Sequence, residues 1–443
     1  MKASKYNFWT SLSADEHLLF NGRNGAMLLL SSHERQEAEA MLSGGQPLAP
    51  CPGIAGLLAE NGFLLPDEAD ELALLRDSCC ANDCSEDTLE VIVSPTYACN
   101  FRCVYCTVEF APARMTRRTE EAVTRFLESE APGFAQLNLS WHGGEPLLCR
   151  ETMLRVSSRA RDQCARDGIL YNGFVATNGY LLTPATASQL AAAGIANVHV
   201  TIDGPRSEHD QTRVLAGGKG TFETIWSNLI GALEAVPAAR FTLRMNATSQ
   251  SIASFVNVMQ AVPRQHRDRI TVNVCPVRYA GKRPPASLLK DIAVANREAI
   301  VLGFAYCEGQ LPVGQAVFCS ADRPQNKHIG PDGTVYACSP SSDKPEASLG
   351  HISEDGRFVP SEGYGKWFSA PQWPERCMEC RYLCFCGGGC RVQRVRRETD
   401  TSCQDEFVGL EERIVNRYMS ATGNEEPGDL TRRLPLGGVF RAD

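Results

Sequence analysis

From residue 89 onward, short apolar segments of strand length alternate with longer segments whose apolar residues recur at helical spacing. The predicted strands are 89–93, 136–141, 173–177, 198–202, 241–245 and 270–274. The predicted helices between them are 120–130, 151–164, 184–193, 222–235 and 252–262. Parallel strands need a crossover connection, so repeated strand–helix units indicate a parallel sheet. Six such units predict an α/β fold, a partial (β/α)6 TIM-like barrel.

The first 88 residues have a different pattern. Segments 6–9 and 16–20 flank a turn and are followed by a strand at 26–30, which together predict a β-hairpin with a third strand. Short helical segments follow at 34–42, 54–61 and 67–77, with a strand-like Gly-Phe-Leu-Leu segment at 62–65. This part of the chain therefore predicts a small α+β domain that precedes the barrel.

Polar and cysteine-rich segments follow four of the predicted barrel strands. Cys99, Cys103 and Cys106 come after the first strand, residues 142–146 after the second, 177–179 after the third and 203–205 after the fourth. Ligands bind beyond the carboxyl ends of the strands in parallel α/β sheets. The four segments therefore predict one shared active site at that end of the barrel.

The cysteine spacing Cys99-x3-Cys103-x2-Cys106 supplies three thiolates for a four-iron cluster and leaves one iron without a protein ligand. A cluster with an open iron can bind and reduce a small molecule, whereas four thiolates would restrict it to electron transfer. A fragment of a zinc site is the alternative, but structural zinc sites use four ligands and no fourth Cys or His lies nearby.

Composition narrows the range of partners. The 443 residues carry 44 basic and 52 acidic side chains, a net charge of −8, without a basic run, so nucleic acid is not an expected partner. There is no apolar stretch long enough to span a membrane and no signal peptide, so we expect a cytoplasmic protein without a membrane partner. Nineteen cysteines in that compartment are expected to bind metal rather than to form disulfides.

These motifs resemble the radical S-adenosylmethionine (SAM) superfamily from about residue 89 to about residue 307. The likeness rests on the three-cysteine spacing with an aromatic residue before its last cysteine, on a Gly-Gly-Glu-Pro segment and on the segments that follow in the family's order. It implies that Cys99, Cys103 and Cys106 hold the catalytic 4Fe-4S cluster. The SAM contacts that it implies are Tyr105, Gly143, Gly144, Glu145, Pro146, Asn178, Asp203 and Arg244. An arginine inside a barrel needs an anion, either the SAM carboxylate or a structural carboxylate.

The last third of the chain resembles the SPASM extension of radical SAM enzymes, which holds two auxiliary 4Fe-4S clusters. By position, Cys319, Cys338 and Cys390 would bind the inner cluster, and Cys377, Cys380, Cys386 and Cys403 the outer one. Zinc-ribbon ligation is the alternative for Cys377 and Cys380. The family's further inner-cluster cysteine is missing between residues 321 and 328, so that the fourth ligand is an open position, Cys384 or Cys307. Cys384 could equally be a buried apolar residue.

The N-terminal domain resembles the winged-helix peptide-recognition domains of peptide-modifying enzymes, which add a leader peptide as a strand to a sheet edge. A packing extension that shields the barrel is the alternative. The expected domains are 1–88 for peptide recognition, 89–306 for the radical SAM barrel, 307–420 for the auxiliary clusters and 421–443 for a tail.

The resemblance predicts a radical SAM maturase that oxidatively crosslinks a ribosomally made precursor peptide, with flavodoxin or ferredoxin as electron donor. The alternatives are a sulfatase-maturating enzyme, an oxidoreductase for a small molecule, and an electron carrier or zinc scaffold without activity. Among other residues, Cys275 is a candidate hydrogen donor, Thr221 is expected to cap the helix 222–235, and Cys79, Cys80 and Cys84 are interpreted as surface thiols.

Overall fold

The computed structural model describes residues 1–44, 53–82, 87–108, 110–277, 284–305, 311, 320–338, 347–369, 373–396, 407–422 and 439–441. The strands are β1 Lys2–Ala3, β2 Asn7–Ser11, β3 Glu16–Asn21, β4 Met27–Ser31, β5 Leu64–Leu65, β6 Thr88–Val93, β7 Gln136–Trp141, β8 Leu170–Thr177, β9 Ile195–Thr201, β10 Arg240–Ala247, β11 Ile270–Pro276, β12 Lys327–Ile329, β13 Thr334–Tyr336, β14 Ser348–Ile352, β15 Phe358–Pro360 and β16 Val439–Arg441. The helices are α1 Ser32–Leu42, α2 Ile54–Glu60, α3 Glu71–Asn82, α4 Arg117–Glu130, α5 Arg150–Asp167, α6 Pro184–Ala192, α7 Arg206–Thr212, α8 Phe222–Ala235, α9 Phe255–Ala261, α10 Ala286–Val301, α11 Glu362–Ser369, α12 Leu383–Cys386, α13 Arg391–Arg396 and α14 Leu410–Thr422.

The six predicted barrel strands are confirmed as β6 to β11, and they lie side by side in chain order with parallel pairing. Their outward residues alternate with inward ones, and the outward apolar side chains pack under the helices into the largest core of the described residues. The far side of β6 pairs with β12 rather than with β11, so the parallel sheet stays open. This is the α/β arrangement expected of a partial barrel.

The predicted helices of the barrel are also present, with shifted ends. Helix α9 begins at Phe255, three residues after the predicted start at 252, because Thr248 and Ser251 exchange hydrogen bonds and hold a turn there. Thr221 is the N-cap residue of α8, as predicted, but its side chain makes no capping hydrogen bond to the helix. Its hydroxyl donates to the carbonyl oxygen of Arg213, and the Asp210 carboxylate instead accepts from the Thr221 and Phe222 amides at 2.7 and 2.9 Å.

Beyond the barrel, β12 joins β6 in parallel, and β13, β14 and β15 follow as antiparallel strands. Three of these four strands are only three residues long. Periodicity over three residues cannot distinguish a strand from a loop, which explains why the sequence did not predict these three strands. They extend the barrel sheet into the part of the chain that carries the later cysteines.

The N-terminal residues form the antiparallel sheet β2–β3–β4, followed by α1, α2 and α3. Ser31 and Glu34 form a capping box that starts α1 directly after β4. The segment 62–65 contributes β5, which pairs with β1 in a separate two-stranded sheet. The outer edge of β4 pairs in parallel with β16, so residues near the C-terminus belong to the N-terminal sheet. Of the helices in the described ranges, not one combines the length and apolar character needed to cross a bilayer.

Candidate active site

The loop after β6 carries Cys99, Cys103 and Cys106 across the carboxyl ends of the barrel strands. Its backbone is tied to residues 212–216: the Arg102 amide donates to Val214 O at 2.9 Å, the Val104 amide to Thr212 O at 3.1 Å, and the Ala216 amide to Asn100 O at 2.8 Å. The Phe101 side chain is 1% exposed and anchors the loop in the core. The loop that carries the cysteines is thus held by backbone hydrogen bonds to residues 212–216 and by the buried Phe101 side chain.

The three thiols interact electrostatically. Burial raises the pKa of Cys99 to about 11, and nearby Glu145, Cys103 and Cys106 contribute to that rise. Burial also raises the pKa of Cys103, whereas the positive charge of Arg213 lowers it. No three His, Cys, Asp or Glu side chains of the described ranges meet around one metal ion. In a four-iron cluster each thiolate binds a different iron. Cys99, Cys103 and Cys106 can therefore hold such a cluster although their sulfur atoms do not surround a single metal position.

The Gly143-Gly144 pair lies directly against the cysteine loop. The Gly144 amide donates to Thr96 O at 3.0 Å and the Glu145 amide to Ala98 O at 2.9 Å. Gly143 has φ +126°, which disfavours other residues. A Cβ on Gly144 would lie 2.6 Å from Tyr97 O and 2.7 Å from the carbonyl carbon of Ala98. The glycines are therefore needed here for close approach of two backbone segments.

Glu145 links this segment to the end of β8. Its carboxylate accepts hydrogen bonds from the Leu147 amide at 3.0 Å, the Thr177 hydroxyl at 2.8 Å and the Asn178 amide at 2.8 Å. Burial raises the pKa of Glu145, and those hydrogen bonds partly offset the rise. Pro146 opens the short 3-10 turn Pro146–Cys149. Because its oxygens already have these partners, the carboxylate positions the loops around the site.

Asn178 connects the same site to the cysteine loop. Its side-chain amide donates to Asn100 Oδ1 at 2.8 Å, and its Oδ1 accepts from the Tyr180 amide at 3.0 Å. Three of the segments that follow separate strands are therefore hydrogen-bonded to one another, as the sequence predicted from their positions.

A second network surrounds Tyr105. The Tyr105 hydroxyl donates to the Asp203 carboxylate and accepts from Arg213 Nη1 at 2.8 Å and from Asn246 Nδ2 at 3.1 Å. Asp203 also accepts from the Asn246 amide at 2.9 Å. Burial alone would lower the pKa of the Arg213 guanidinium, but Tyr105, Asp203 and Cys103 raise it. Arg213 is thus a fixed positive charge beside the cysteine loop.

The sequence reasoning did not assign Asn246 or Arg213 a part in this network. Asn246 lies two residues after Arg244 on the inward face of β10, which is the signal that could have identified it. The role of Arg213 depends on Tyr105, which lies 108 residues away in the sequence.

Inside the barrel, Arg244 donates through Nε to Asn246 Oδ1 at 3.3 Å. Burial, with Arg244, His142 and Arg213 nearby, lowers the pKa of His199 to about 3. The lowered pKa keeps the His199 imidazole neutral, so it adds no second positive charge beside Arg244. Cys275 is in register with Asn246 across β10 and β11 and lies 3.1 Å from Asn273 Oδ1, at the level of the Tyr105 network.

Of the later cysteines, Cys338, Cys377, Cys380, Cys386 and Cys390 are described, all without disulfides. Cys319, Cys403, Cys307 and Cys84 lie outside the described residues, as do the side chains of Cys79 and Cys80. Cys384 is 0% exposed within an apolar cluster that includes Phe8, Phe20 and Phe385. This is the environment of a packing residue, one of the two roles that the sequence left open for Cys384.

Residues 93–260 match the Radical SAM superfamily. This part of the chain is a radical SAM domain. A mycofactocin maturase, MftC, of Mycolicibacterium smegmatis is 26% identical over 322 residues, which cover 68% of this chain and 77% of that protein. A PqqA peptide cyclase of Ruegeria pomeroyi is 24% identical over 373 residues, covering 79% of this chain and 96% of that protein.

Solved structures share the fold of the radical SAM domain. Native anSMEcpe with bound AdoMet and the Kp18Cys peptide superposes with a TM-score of 0.58 at 19% identity, covering 74% of this chain and 99% of that one. Streptococcus suis SuiB bound to its precursor peptide SuiA superposes with a TM-score of 0.53 at 14% identity, covering 91% of this chain and 99% of that one. At these identities the likeness concerns the fold.

Proposed function

We propose that this protein is a radical SAM enzyme that oxidatively crosslinks a ribosomally made precursor peptide. The observation that carries the proposal is the joining of the three-cysteine loop to the ends of β7, β8, β9 and β10 within a radical SAM domain. The relatives named as a peptide maturase and a peptide cyclase support a peptide substrate.

The radical SAM cluster would be held by Cys99, Cys103 and Cys106. When bound, cluster and SAM supply a 5′-deoxyadenosyl radical that removes hydrogen from an unactivated carbon, which no ordinary side chain can do. The chain's own residues hold the loop in place through Tyr105, Asp203 and the backbone around Gly144. Arg244 supplies a positive charge for the SAM carboxylate, and Asn178 and Pro146 line the adjoining loops.

Two auxiliary 4Fe-4S clusters complete the proposal, which rests on the cysteine positions. Cys319, Cys338 and Cys390 would bind the inner cluster, and Cys377, Cys380, Cys386 and Cys403 the outer one. Because Cys384 is enclosed by apolar side chains, an open position or Cys307 is favoured for the fourth inner ligand. These clusters would accept the electron released when the peptide radical is oxidised, and flavodoxin or ferredoxin would supply the electron that starts the reaction.

The N-terminal sheet would bind the leader of the precursor. The apolar cluster on one of its faces anchors it to later parts of the chain, whereas the cluster on the other face joins it to α1 and α2 of the same domain. On one face, Phe8 lies 5.1 Å from Phe385 between ring centroids, and Lys5 Nζ donates to Met378 O at 2.7 Å. A peptide bound there would be held at a fixed position relative to Cys377 and Cys380.

The test is the mass of a short peptide encoded beside this gene, co-expressed with the protein under low oxygen. We expect the loss of two hydrogens, and fragmentation should locate the new bond. The matched controls are Cys99→Ala, which removes one predicted ligand, and Cys164→Ala, which changes a buried cysteine of α5 far from the loop. An unchanged mass with active SAM cleavage would contradict peptide crosslinking and direct the search to a sulfatase or a small molecule.

A further inference from the structure

The outer edge of β4 is occupied by residues from the other end of the chain. Strand β16 pairs in parallel with β4, with Val439 opposite Met27, Phe440 opposite Leu28 and Arg441 opposite Leu29. We propose that β16 is a built-in occupant of the edge at which the precursor peptide adds as a strand, so that tail and peptide compete for β4. The inference rests on the proposed function and deepens it.

Strand β4 needs a partner on this edge because it is buried on both faces. Leu28 and Leu30 pack with α1 and α2, whereas Met27 and Leu29 belong to the cluster shared with the cysteine-rich segment. Backbone N–H and C=O groups of a buried strand are costly to leave unpaired, and an apolar edge without charges invites pairing with another chain. The edge is therefore covered either by β16 or by an incoming strand.

The opposite edge of the sheet is already engaged by side chains. Strand β2 is the outer strand there, and its Asn7 carbonyl oxygen accepts a hydrogen bond from Arg381. The Arg381 guanidinium lies 4.4 Å from the Phe8 ring centroid, and the ring centroids of Phe8 and Tyr382 lie 5.6 Å apart. A peptide strand could not add to β2 without displacing these contacts, so β4 is the edge suited to strand addition.

Strand β16 is short enough to be displaced by a longer peptide strand. Strand β16 has three residues, whereas β4 has five. A three-residue strand makes few ladder bonds, and its advantage is the high effective concentration that its covalent connection supplies. A longer extended peptide can pair along all of β4 and form more backbone hydrogen bonds. Without a precursor, the tail keeps the apolar edge covered.

The decisive experiment uses a fluorescently labelled synthetic peptide with the sequence of residues 434–443 as the probe, and anisotropy as the readout. In the full chain, Val439→Pro with Phe440→Pro removes two consecutive N–H groups, so a ladder bond is lost whichever of them faces β4. The matched control is Val439→Ala with Phe440→Ala, which keeps both N–H groups. A chain that ends at Thr422 is the second variant, and uncoupled SAM cleavage reports that each variant is folded.

We expect the proline variant and the shortened chain to bind the probe about tenfold more tightly than the alanine control. This factor corresponds to a tail that, in the control, leaves the β4 edge unpaired in about a tenth of the molecules. The unlabelled precursor peptide should displace the probe, and the KM for its modification should fall by the same factor. Equal binding of the probe to all variants, or a probe that the precursor fails to displace, overturns the proposal that the tail and the precursor compete for β4. If the precursor is still modified in that case, the proposed function stands. A precursor whose mass never changes overturns the proposed function itself, whatever the probe does.

Discussion

Replacing Gly144 with alanine should displace the backbone of the cysteine loop. The new Cβ would lie 2.6 Å from Tyr97 O and 2.7 Å from the Ala98 carbonyl carbon, and closer still to Ala98 O. Ordinary contacts between carbon atoms begin at about 3.5 Å, so the loop must move by about 1 Å. All three atoms belong to the backbone and cannot rotate away as a side chain would. Overpacking of this kind costs about 1–3 kcal/mol, and we expect the upper end of that range.

The assay has two readouts: the urea midpoint of the cluster-free protein, and iron bound per chain after anaerobic reconstitution. Gly133→Ala is the matched control, because a Cβ there meets no atom within 4 Å. We expect Gly144→Ala to lower both readouts and the control to change neither. If the two variants behave alike, the glycine does not secure the loop by close approach, and the physical account of this segment is wrong.

Three further predictions concern the surroundings of the site. Tyr105→Phe removes the hydroxyl shared by Asp203, Arg213 and Asn246 and should lower the free energy of unfolding by about 1–3 kcal/mol; an unchanged value would show that the network is not formed in solution. Burial lowers the pKa of His328 to about 3. Below a pH of about 6.5 this histidine therefore binds a proton in the unfolded chain but not in the folded one, so the free energy of unfolding decreases as the pH falls. In His328→Gln, the loss of unfolding free energy between pH 7 and pH 5 should be about 2 kcal/mol smaller than in the wild type, and equal pH profiles would rule this out. Gly22→Ala would place a Cβ 2.6 Å from Cys384 Sγ and 2.8 Å from Phe385 Cζ and should cost about 1–3 kcal/mol in urea denaturation, against no loss for Gly56→Ala, whose Cβ meets open space.

Much of the barrel could be predicted from local patterns. Strands β6 to β11 alternate inward and outward residues over at least five positions, and period-2 alternation of that length is a strong signal. The parallel order followed from the intervening helices. Strands β12, β13 and β15 have three residues each and left no comparable signal.

The candidate site was predictable only in part. Cysteine spacing and the Gly-Gly-Glu-Pro segment indicated which residues gather at the strand ends, but not what each contacts. The sequence suggested that Glu145 contacts SAM, and the structure shows its carboxylate bonded to Leu147, Thr177 and Asn178. Arg213 and Asn246 meet at Tyr105 although 108 and 141 residues separate them from it. Contacts over such distances depend on how the strands are arranged.

The sequence by itself determined the barrel strands, the cysteine spacings and the positions of the loops that follow the strands. These are local properties, set by side-chain periodicity and by residue chemistry along a few consecutive positions. The tertiary structure decided that Cys384 is buried against Phe385 and Gly22, that Arg213 supports Tyr105, and that residues 439–441 cover β4. Packing and strand pairing between distant segments leave no periodic trace in either partner, because a ladder is formed by backbone groups that every residue carries.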